Sequence, residues 1–235
     1  MLRQLGFALA ITFASPAVAA PPLVPQLEAL AAKNNAKALY HLGMAYHLGR
    51  GVAVDKRRAF ELFKRSAELG DPLGAYKLGC YYDGQGEGVV ALDPDLALRY
   101  NLVAAEAGYS LAQHDVANLL QRRGDYVGAL KWLRAAAYQG ERSSMLAYAS
   151  VHAGAPGFPK DPAISVAFYE LLTRQLTVPT EQLQRLIAER RQALSPDDRL
   201  RAERLVAEFR ARPTPLTLEA KSGEEAAQRL VARRS

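Results

Sequence analysis

Small and apolar side chains recur at helical spacing between Asp55 and Gly70. Their spacing places them on one face of an α-helix. A carboxylate before the first turn and a glycine after the last turn are typical of helix ends. The pattern therefore predicts a helix between these two residues, and the side chains on its buried face are Ala59, Leu62, Phe63, Ser66 and Ala67.

The same pattern returns twice further along the chain. Asp55, Asp93 and Asp125 are each followed by an alanine four residues later and by a glycine fifteen residues later. A coincidence at two fixed offsets in three places indicates an internal structural repeat. The three glycines are Gly70, Gly108 and Gly140.

A second helix precedes each of these helices and carries a small residue at a fixed position. These residues, the anchors, are Gly43, Gly79, Ala117 and Ala149, and each of the last three lies 24 residues after the preceding Asp. The distance from an anchor to the next Asp varies instead, at 12, 14, 8 and 12 residues, ending at Asp161. The rigid unit therefore runs from each Asp to the next anchor, and loops of unequal length join the units.

The longest of these loops holds glycines at alternate positions, Gly84, Gly86 and Gly88. A phosphate-binding glycine loop follows a β-strand and opens a helix. Because the sequence predicts a helix before these glycines, it predicts a connecting loop and no nucleotide site.

Two helices joined by a loop form a hairpin that buries its apolar face only against neighbouring hairpins. Asp93-Pro94 and Asp161-Pro162 support the helix starts, since a proline in the first turn loses no hydrogen bond. Small anchors allow the paired helices to approach closely. We predict an all-α fold, an α-α superhelix or solenoid of about four hairpins over residues 24–176.

The repeat pattern stops after residue 176, and a different pattern follows. Pro179-Thr180-Glu181 opens one amphipathic segment and Ser195-Pro196-Asp197-Asp198 opens another. We predict that residues 177–212 form capping helices, whose interleaved arginines and glutamates make a salt-bridged surface. Residues 213–235 are predicted to be a linker and a short C-terminal helix.

The first residues have the pattern of a secretory signal peptide. Arg3 gives a positive start, residues 5–14 form a short apolar stretch, and Ala17-Val18-Ala19 is a small-residue cleavage site. We predict a signal peptide over residues 1–19, cleaved after Ala19, because cleavage after Ala20 would leave Pro21 at the first mature position. The protein would then be periplasmic or secreted, with no membrane insertion after cleavage.

Composition narrows the partners and the sources of stability. The chain has 235 residues, of which 49% are hydrophobic and 23% charged, so it can bury a sizeable core. Removal of Arg3 leaves 29 basic and 24 acidic residues, spread along the chain, which does not favour nucleic acid as a partner. The single cysteine, Cys80, cannot form an internal disulfide, and it is either a small buried hydrophobe or an exposed thiol.

The repeated residues resemble the Sel-one-like repeat (SLR), a relative of the tetratricopeptide repeat. Repeats three and four match less well, since Ala117 and Ala149 replace the anchor glycine. The resemblance implies an α-solenoid that works as a protein-binding scaffold, as exported members of the family often do. The first repeat matches through Tyr40, Leu42, Gly43, Tyr46, Gly49, Gly51, Val52, Asp55, Ala59, Ala67 and Gly70, and the second through Leu78, Gly79, Tyr82, Gly86, Asp93, Ala97, Ala105 and Gly108.

Residues at equal offsets from the anchors define a candidate partner-binding surface. Offsets of −2, +1 and +5 lie opposite the predicted core face of the first helix of each repeat. This set, the first-helix row, is equally consistent with an ordinary solvated helix face, although exposed Met44 and Leu48 would favour binding. The row consists of His41, Met44 and Leu48 in repeat one, Lys77, Cys80 and Gly84 in repeat two, and Asp115, Asn118 and Arg122 in repeat three.

The sequence offers little support for catalysis, a metal or a cofactor. Its four histidines have no i, i+4 pairing, and His114 and His152 are interpreted as core substitutions. Cys80 lacks a nucleophile motif. We therefore expect no enzymatic activity, catalytic residue, metal or cofactor, with another envelope or secreted protein as the partner; the oligomeric state stays open.

A second function class remains, a cell-wall-directed enzyme or ligand binder related to peptidoglycan or β-lactams. It was proposed for cysteine-rich relatives in the repeat family, and this sequence lacks their paired cysteines. A hydrolysis screen on peptidoglycan and β-lactams separates it from the scaffold hypothesis.

Overall fold

A computed structural model describes residues 22–233, and over that range the chain forms helices and no strands. The prediction of an all-α solenoid is confirmed. The predicted signal peptide lies outside the described residues. The helices are α1 (Leu23–Ala32), α2 (Ala36–Leu48), α3 (Lys56–Glu68), α4 (Pro72–Cys80), α5 (Pro94–Glu106), α6 (Ser110–Arg122), α7 (Tyr126–Tyr138), α8 (Arg142–His152), α9 (Pro162–Thr173), α10 (Glu181–Gln192), α11 (Pro196–Glu208), α12 (Pro215–Ser222) and α13 (Glu224–Ala232).

Four aspartates start the second helix of each hairpin. Asp55, Asp93, Asp125 and Asp161 each precede such a helix, and each carboxylate accepts a hydrogen bond from a backbone N–H in the first turn. A cap of this kind stabilises a helix by about 1 kcal/mol. The turns from one hairpin to the next contain Gly70, Gly108 and Gly140, which all have positive φ.

The helices pair as α2/α3, α4/α5, α6/α7 and α8/α9, and each packs on its neighbours in chain order. The anchors lie where the two helices of a hairpin touch. A Cβ added to Gly43 would lie 2.6 Å from Cε1 of Phe63, and one added to Gly79 would overlap Oδ1 of Asn101. At these two anchors the contact therefore has no room even for the methyl group of alanine unless Phe63 or Asn101 shifts.

The glycine-rich loop contains one turn of π-helix, Tyr81–Gln85, which extends α4. Tyr81 is fully buried and its ring packs against Phe63 at a centroid distance of 5.7 Å. Gly84 ends this turn with a φ of 119°, so the chain can leave the helix there. The loop closes the hairpin between α4 and α5.

Further helices extend the solenoid at both ends. Helix α1 packs on α2, and α10 and α11 pack on α9. Arginines of α10 and α11 form ion pairs with the last hairpin. Arg191 pairs with Glu170 and Glu203, and Arg201 pairs with Asp161 and Asp198.

The C-terminal region differs from its prediction. In place of a linker and one short helix over residues 213–235, an extended stretch leads into two short helices, α12 and α13. The chain turns back along the solenoid, because the N–H of Arg212 bonds the carbonyl of Tyr138 at 3.0 Å and α13 packs on α1 and α2. Local sequence missed this return because the segment is held by residues far away in the chain.

His41 lies under this returning segment. It is 8% exposed and lines a cavity of about 230 Å³ together with Lys37, Glu219 and Arg229. Burial lowers the pKa of His41 from 6.5 to about 4, and nearby Glu219 opposes part of that change. The folded protein therefore holds His41 neutral at pH 7.

We expect Gly79→Leu to lower the free energy of unfolding by about 1–3 kcal/mol or more, because the new side chain must displace Asn101 or separate α4 from α5. Thermal or urea unfolding measures the change. Lys64→Leu, on the exposed face of α3, is the matched control. An unchanged melting temperature for Gly79→Leu would place the anchor elsewhere.

We also expect His41 to make stability depend on pH. Its folded pKa is below its unfolded value, so its full stabilisation is present above pH 6.5 and is lost as the pH falls towards 4. Between pH 7 and pH 5 this loss is about 2 kcal/mol. Urea unfolding at both pH values should show a smaller loss for His41→Gln than for the wild type, and equal losses would contradict the assignment.

Candidate functional site

The first helices of the four hairpins, α2, α4, α6 and α8, lie next to one another in that order. Tyr76 of α4 packs its ring against Tyr109, which directly precedes α6, at 4.8 Å. Arg122 of α6 pairs with Asp83, in the π-helical turn after α4, at 2.9 Å. His114 of α6 reaches Ser144 of α8, with Nδ1 2.9 Å from Oγ. Equal offsets on these helices therefore lie on one continuous surface, which we call the first-helix face.

The predicted exposure of the first-helix row is wrong for three of its members. His41, Lys77 and Cys80 are less than 10% exposed. The error has a long-range cause, since neighbouring hairpins and the returning C-terminal region cover positions that point away from a single hairpin's core. The others are reachable, because Met44, Asp115 and Asn118 are half-buried and Leu48 and Arg122 are exposed.

Lys77 keeps its charge solvated by protein groups. Its Nζ donates a hydrogen bond to Oε1 of Gln85 at 2.8 Å and lies 6.0 Å from the centre of the Phe63 ring. Burial lowers the pKa of Lys77, while nearby Cys80 and Asp115 act in the opposite direction. This lysine therefore holds the π-helical turn through its hydrogen bond to Gln85 and does not reach solvent.

Cys80 is a buried thiol, which decides between the two alternatives left by the sequence. It is 5% exposed, and burial raises its pKa to about 11. Burial likewise raises the pKa of Asp115, partly offset by a hydrogen bond from Tyr76. A protonated, buried thiol is a poor nucleophile, so this position acts as a small packed side chain.

The side chains of His47, His114 and His152 make hydrogen bonds within the fold. Nδ1 of His47 lies 2.9 Å from the Tyr81 hydroxyl, and Nδ1 of His152 lies 3.0 Å from the carbonyl of Pro159. His152 is buried, whereas His114 is half-buried on the first-helix face, so the interpretation of both as core substitutions holds only for His152. Between residues 22 and 233, no group of three His, Cys, Asp or Glu side chains is placed to hold a metal ion.

The largest cavity near the row lies at its N-terminal end. It has a volume of about 880 Å³ and is bounded by α1, α2, α12 and α13. Its wall is mostly apolar, and Met44 and Leu48 of the row contribute to it together with Leu27 and Ala227. The C-terminal helices therefore form one side of the candidate surface.

Sequence reasoning missed the contribution of α12 and α13. A signal was present, since Thr214-Pro215 is a cap followed by a first-turn proline, and Ala226, Ala227 and Leu230 have helical spacing. The oxygen of the Thr214 side chain accepts a bond from the N–H of Thr217 at 3.1 Å. The pattern indicates two helices, but it does not indicate where they dock.

None of the helices described between residues 22 and 233 has the length and apolar character needed to cross a membrane. Among curated proteins, no sequence matches the chain.

The repeats belong to a known family. The family model for the Sel1 repeat matches residues 36–71, 72–109 and 110–141, which are the first three hairpins. The fourth hairpin, α8/α9, has the same cap and anchor without a match of its own.

A solved structure supports the α-solenoid fold, and a second one is also similar. A Sel1 repeat protein from Oxalobacter formigenes has a TM-score of 0.60 and 22% sequence identity, over 79% of this chain and 78% of that one. A protective antigen of uropathogenic Escherichia coli with an SLR fold has a TM-score of 0.48 and 20% identity, over 89% of this chain and 50% of that one. Repeats of this kind are protein-interaction modules. The chain therefore contains three Sel1 repeats, over residues 36–141, within an α-solenoid fold.

Proposed function

We propose that this protein is a non-enzymatic interaction scaffold of the cell envelope, which binds a partner protein through its first-helix face. One observation carries the proposal. The solenoid already binds a polypeptide segment, its own C-terminal region, by main-chain and side-chain hydrogen bonds beside that face. The first-helix face shares its apolar cavity with α12 and α13, so a protein partner on that face would lie beside the segment that is already bound.

The reachable part of the row suits a protein partner. Leu48 is 43% exposed beside the apolar cavity, and Arg122 is exposed at the other end of the row, with Asn118 half-buried between them. An apolar contact flanked by an amide and a guanidinium is a common composition for a protein interface. His41, Lys77 and Cys80 act in this proposal as the buried support of that surface.

The proposal that the scaffold is not an enzyme is supported by Cys80. It is the only cysteine of the chain, and its burial holds the thiol in the protonated form. The envelope location is supported by the sequence of residues 1–19, with its positive start, apolar stretch and small-residue cleavage site.

We expect Leu48→Ala/Asn118→Ala/Arg122→Ala to weaken partner binding while leaving folding nearly intact. Each change lies on the reachable surface, so its cost to stability is within about 0.5 kcal/mol. A few central side chains carry most of the binding energy in an interface. Affinity capture from an envelope extract identifies the partner with wild-type protein, and calorimetry with that partner then compares the variants.

The matched control for this experiment replaces three basic residues on the second helices. Lys64, Arg99 and Arg134 are exposed on α3, α5 and α7. Their replacement by alanine should leave partner affinity unchanged. Loss of binding in this control alone would place the interface on the second-helix side.

We expect the exported protein to begin at Ala20. Intact mass and N-terminal sequencing of protein recovered from the periplasm or the medium measure the new terminus. Ala19→Pro should block processing at this site, since a signal peptidase needs a small residue before the cut. Protein that keeps residues 1–19 and stays in the cytoplasm would contradict the envelope proposal.

A further inference from the structure

The C-terminal segment, residues 209–233, crosses the solenoid against the chain direction. The ring of Phe209 packs 5.7 Å from the rings of Tyr138 and Phe168, which belong to the last two hairpins of the solenoid. The segment then passes the turns at Gly140 and Gly108, and α12 and α13 reach α2 and α1. We call the strip under residues 211–219 the docking edge; it is formed by Lys37, Gly108, Ser110, Tyr138, Gln139 and Gly140.

Hydrogen bonds hold the middle of the segment in the manner of a bound peptide. Thr214 donates its N–H to Oε1 of Gln139 at 3.0 Å and its hydroxyl to the carbonyl of Gly108 at 2.9 Å. The hydroxyl of Thr217 donates to the same Gln139 oxygen at 2.7 Å and accepts from the N–H of Ser110 at 3.0 Å. Thr217 is completely buried, so these bonds are shielded from water.

The turn glycines give the segment room to lie close. A Cβ on Gly108 would be 2.9 Å from Cγ2 of Thr214, and a Cβ on Gly140 would be 2.9 Å from Cβ of Ala211. Both glycines have positive φ, which the turn itself requires. The same residues that turn the chain between repeats therefore also admit a second backbone.

The contacts of α12 and α13 contain few fully buried side chains. Their partly buried side chains that pack on the core are Leu216, Ala220, Leu230 and Val231. The only buried side chain of α12 is Thr217, and those of α13 are two alanines, Ala226 and Ala227. Leu218 is 54% exposed, and a cavity of about 880 Å³ lies beside α13. Segments with few buried apolar contacts open locally at a lower free energy than the core that they cover.

Charge adds to the selectivity of the docking edge. Glu219 of α12 forms an ion pair with Lys37 of α2, and both side chains are partly exposed. His41 lies beside this pair and is covered by α13. An incoming segment would therefore need an acidic residue at the position of Glu219, together with the two threonines.

We propose that the C-terminal segment is an exchangeable internal ligand, which occupies the docking edge until a partner segment of the same chemistry replaces it. That chemistry is an extended Thr-Pro stretch leading into a short amphipathic helix with an acidic residue one turn on. The inference rests on the proposed scaffold function and assigns its regulation. Partner affinity is then reduced by the fraction of molecules in which the edge is occupied.

The test uses the full chain and a fluorescent peptide of residues 209–233 as the probe. Thr214→Ala/Thr217→Ala removes the hydrogen bonds that the two hydroxyls of the attached segment make, and of the bonds to Gln139 it leaves only the one from the main-chain N–H of Thr214. The matched control, Leu218→Ala/Lys221→Ala, changes two exposed side chains of α12. Peptide binding is measured by fluorescence anisotropy, and hydrogen exchange reports which part of each protein has opened.

We expect the threonine variant to bind the peptide about tenfold or more tightly than the wild type, because its docking edge is vacated more often. The control should bind as the wild type does. Hydrogen exchange should become faster in residues 210–233 of the threonine variant, with α4 to α9 still protected. A peptide that carries the same two alanines should bind no protein detectably.

Several results would overturn the inference. Equal peptide affinity for the threonine variant and the control would show that the edge takes no segment in trans. Loss of protection throughout α4 to α9 would make the segment part of the cooperative core. A variant dimer that exchanges C-terminal segments between copies would assign the edge to a second copy of this chain instead of a different partner.

The outcome is separable from that of the scaffold proposal. Tight peptide binding by the threonine variant, with no partner captured from the envelope, would leave the internal ligand intact and defeat the scaffold proposal. A captured partner that binds the wild type, the threonine variant and the control equally would support the scaffold proposal and contradict the internal ligand.

Discussion

The close approach of two helices at each anchor is the contact on which the rest of the structure depends. Gly43 meets the ring of Phe63, and Gly79 meets the side chain of Asn101, eight residues after the capping aspartate in both cases. The cap fixes where the second helix begins, and the anchor fixes how near its partner lies. The hairpin is thereby a unit of constant shape, and units of constant shape stack into a solenoid.

Equal stacking has consequences for both sides of the hairpins. It brings the same offset of every first helix onto one face, and it brings the turns at Gly108 and Gly140 into one line. The face gathers Cys80 and Asp115 around Tyr76. The line of turns instead presents backbone carbonyls beside glycines, which have no side chain to cover them. A second polypeptide can approach that line closely, and the C-terminal segment does.

The architecture could be predicted from local sequence because the contacts that define a hairpin lie close together in the chain. Asp55 and Gly70 mark one helix, and the 24-residue spacing from Asp to anchor places the next. Exposure was harder to predict, since it depends on what covers a residue from elsewhere. His41 and Glu219 are 178 positions apart, and no periodicity in either helix indicates that α12 and α13 would cover His41. For Cys80 the helical offset predicted exposure and the residue type favoured burial, and the residue type was the better guide.

Polar docking explains why the C-terminal segment can be both specific and replaceable. A buried hydrogen bond adds only about 0.5–1.5 kcal/mol of net stability, but leaving a buried group without its partner costs about 1–3 kcal/mol. Gln139 makes hydrogen bonds on both sides of this contact. Its side-chain oxygen accepts from the N–H of Thr214 and the hydroxyl of Thr217, and its NH₂ group donates to the carbonyl of Gly108 and the side chain of Gln113. A segment that lacks the two hydroxyls would leave the N–H of Ser110 without its partner and the amide oxygen of Gln139 with one hydrogen bond in place of two, so the edge disfavours most sequences. A segment that supplies them makes the same bonds as the one already bound. Because the attached segment has the higher effective concentration, a partner must displace it by its own concentration and its further contacts.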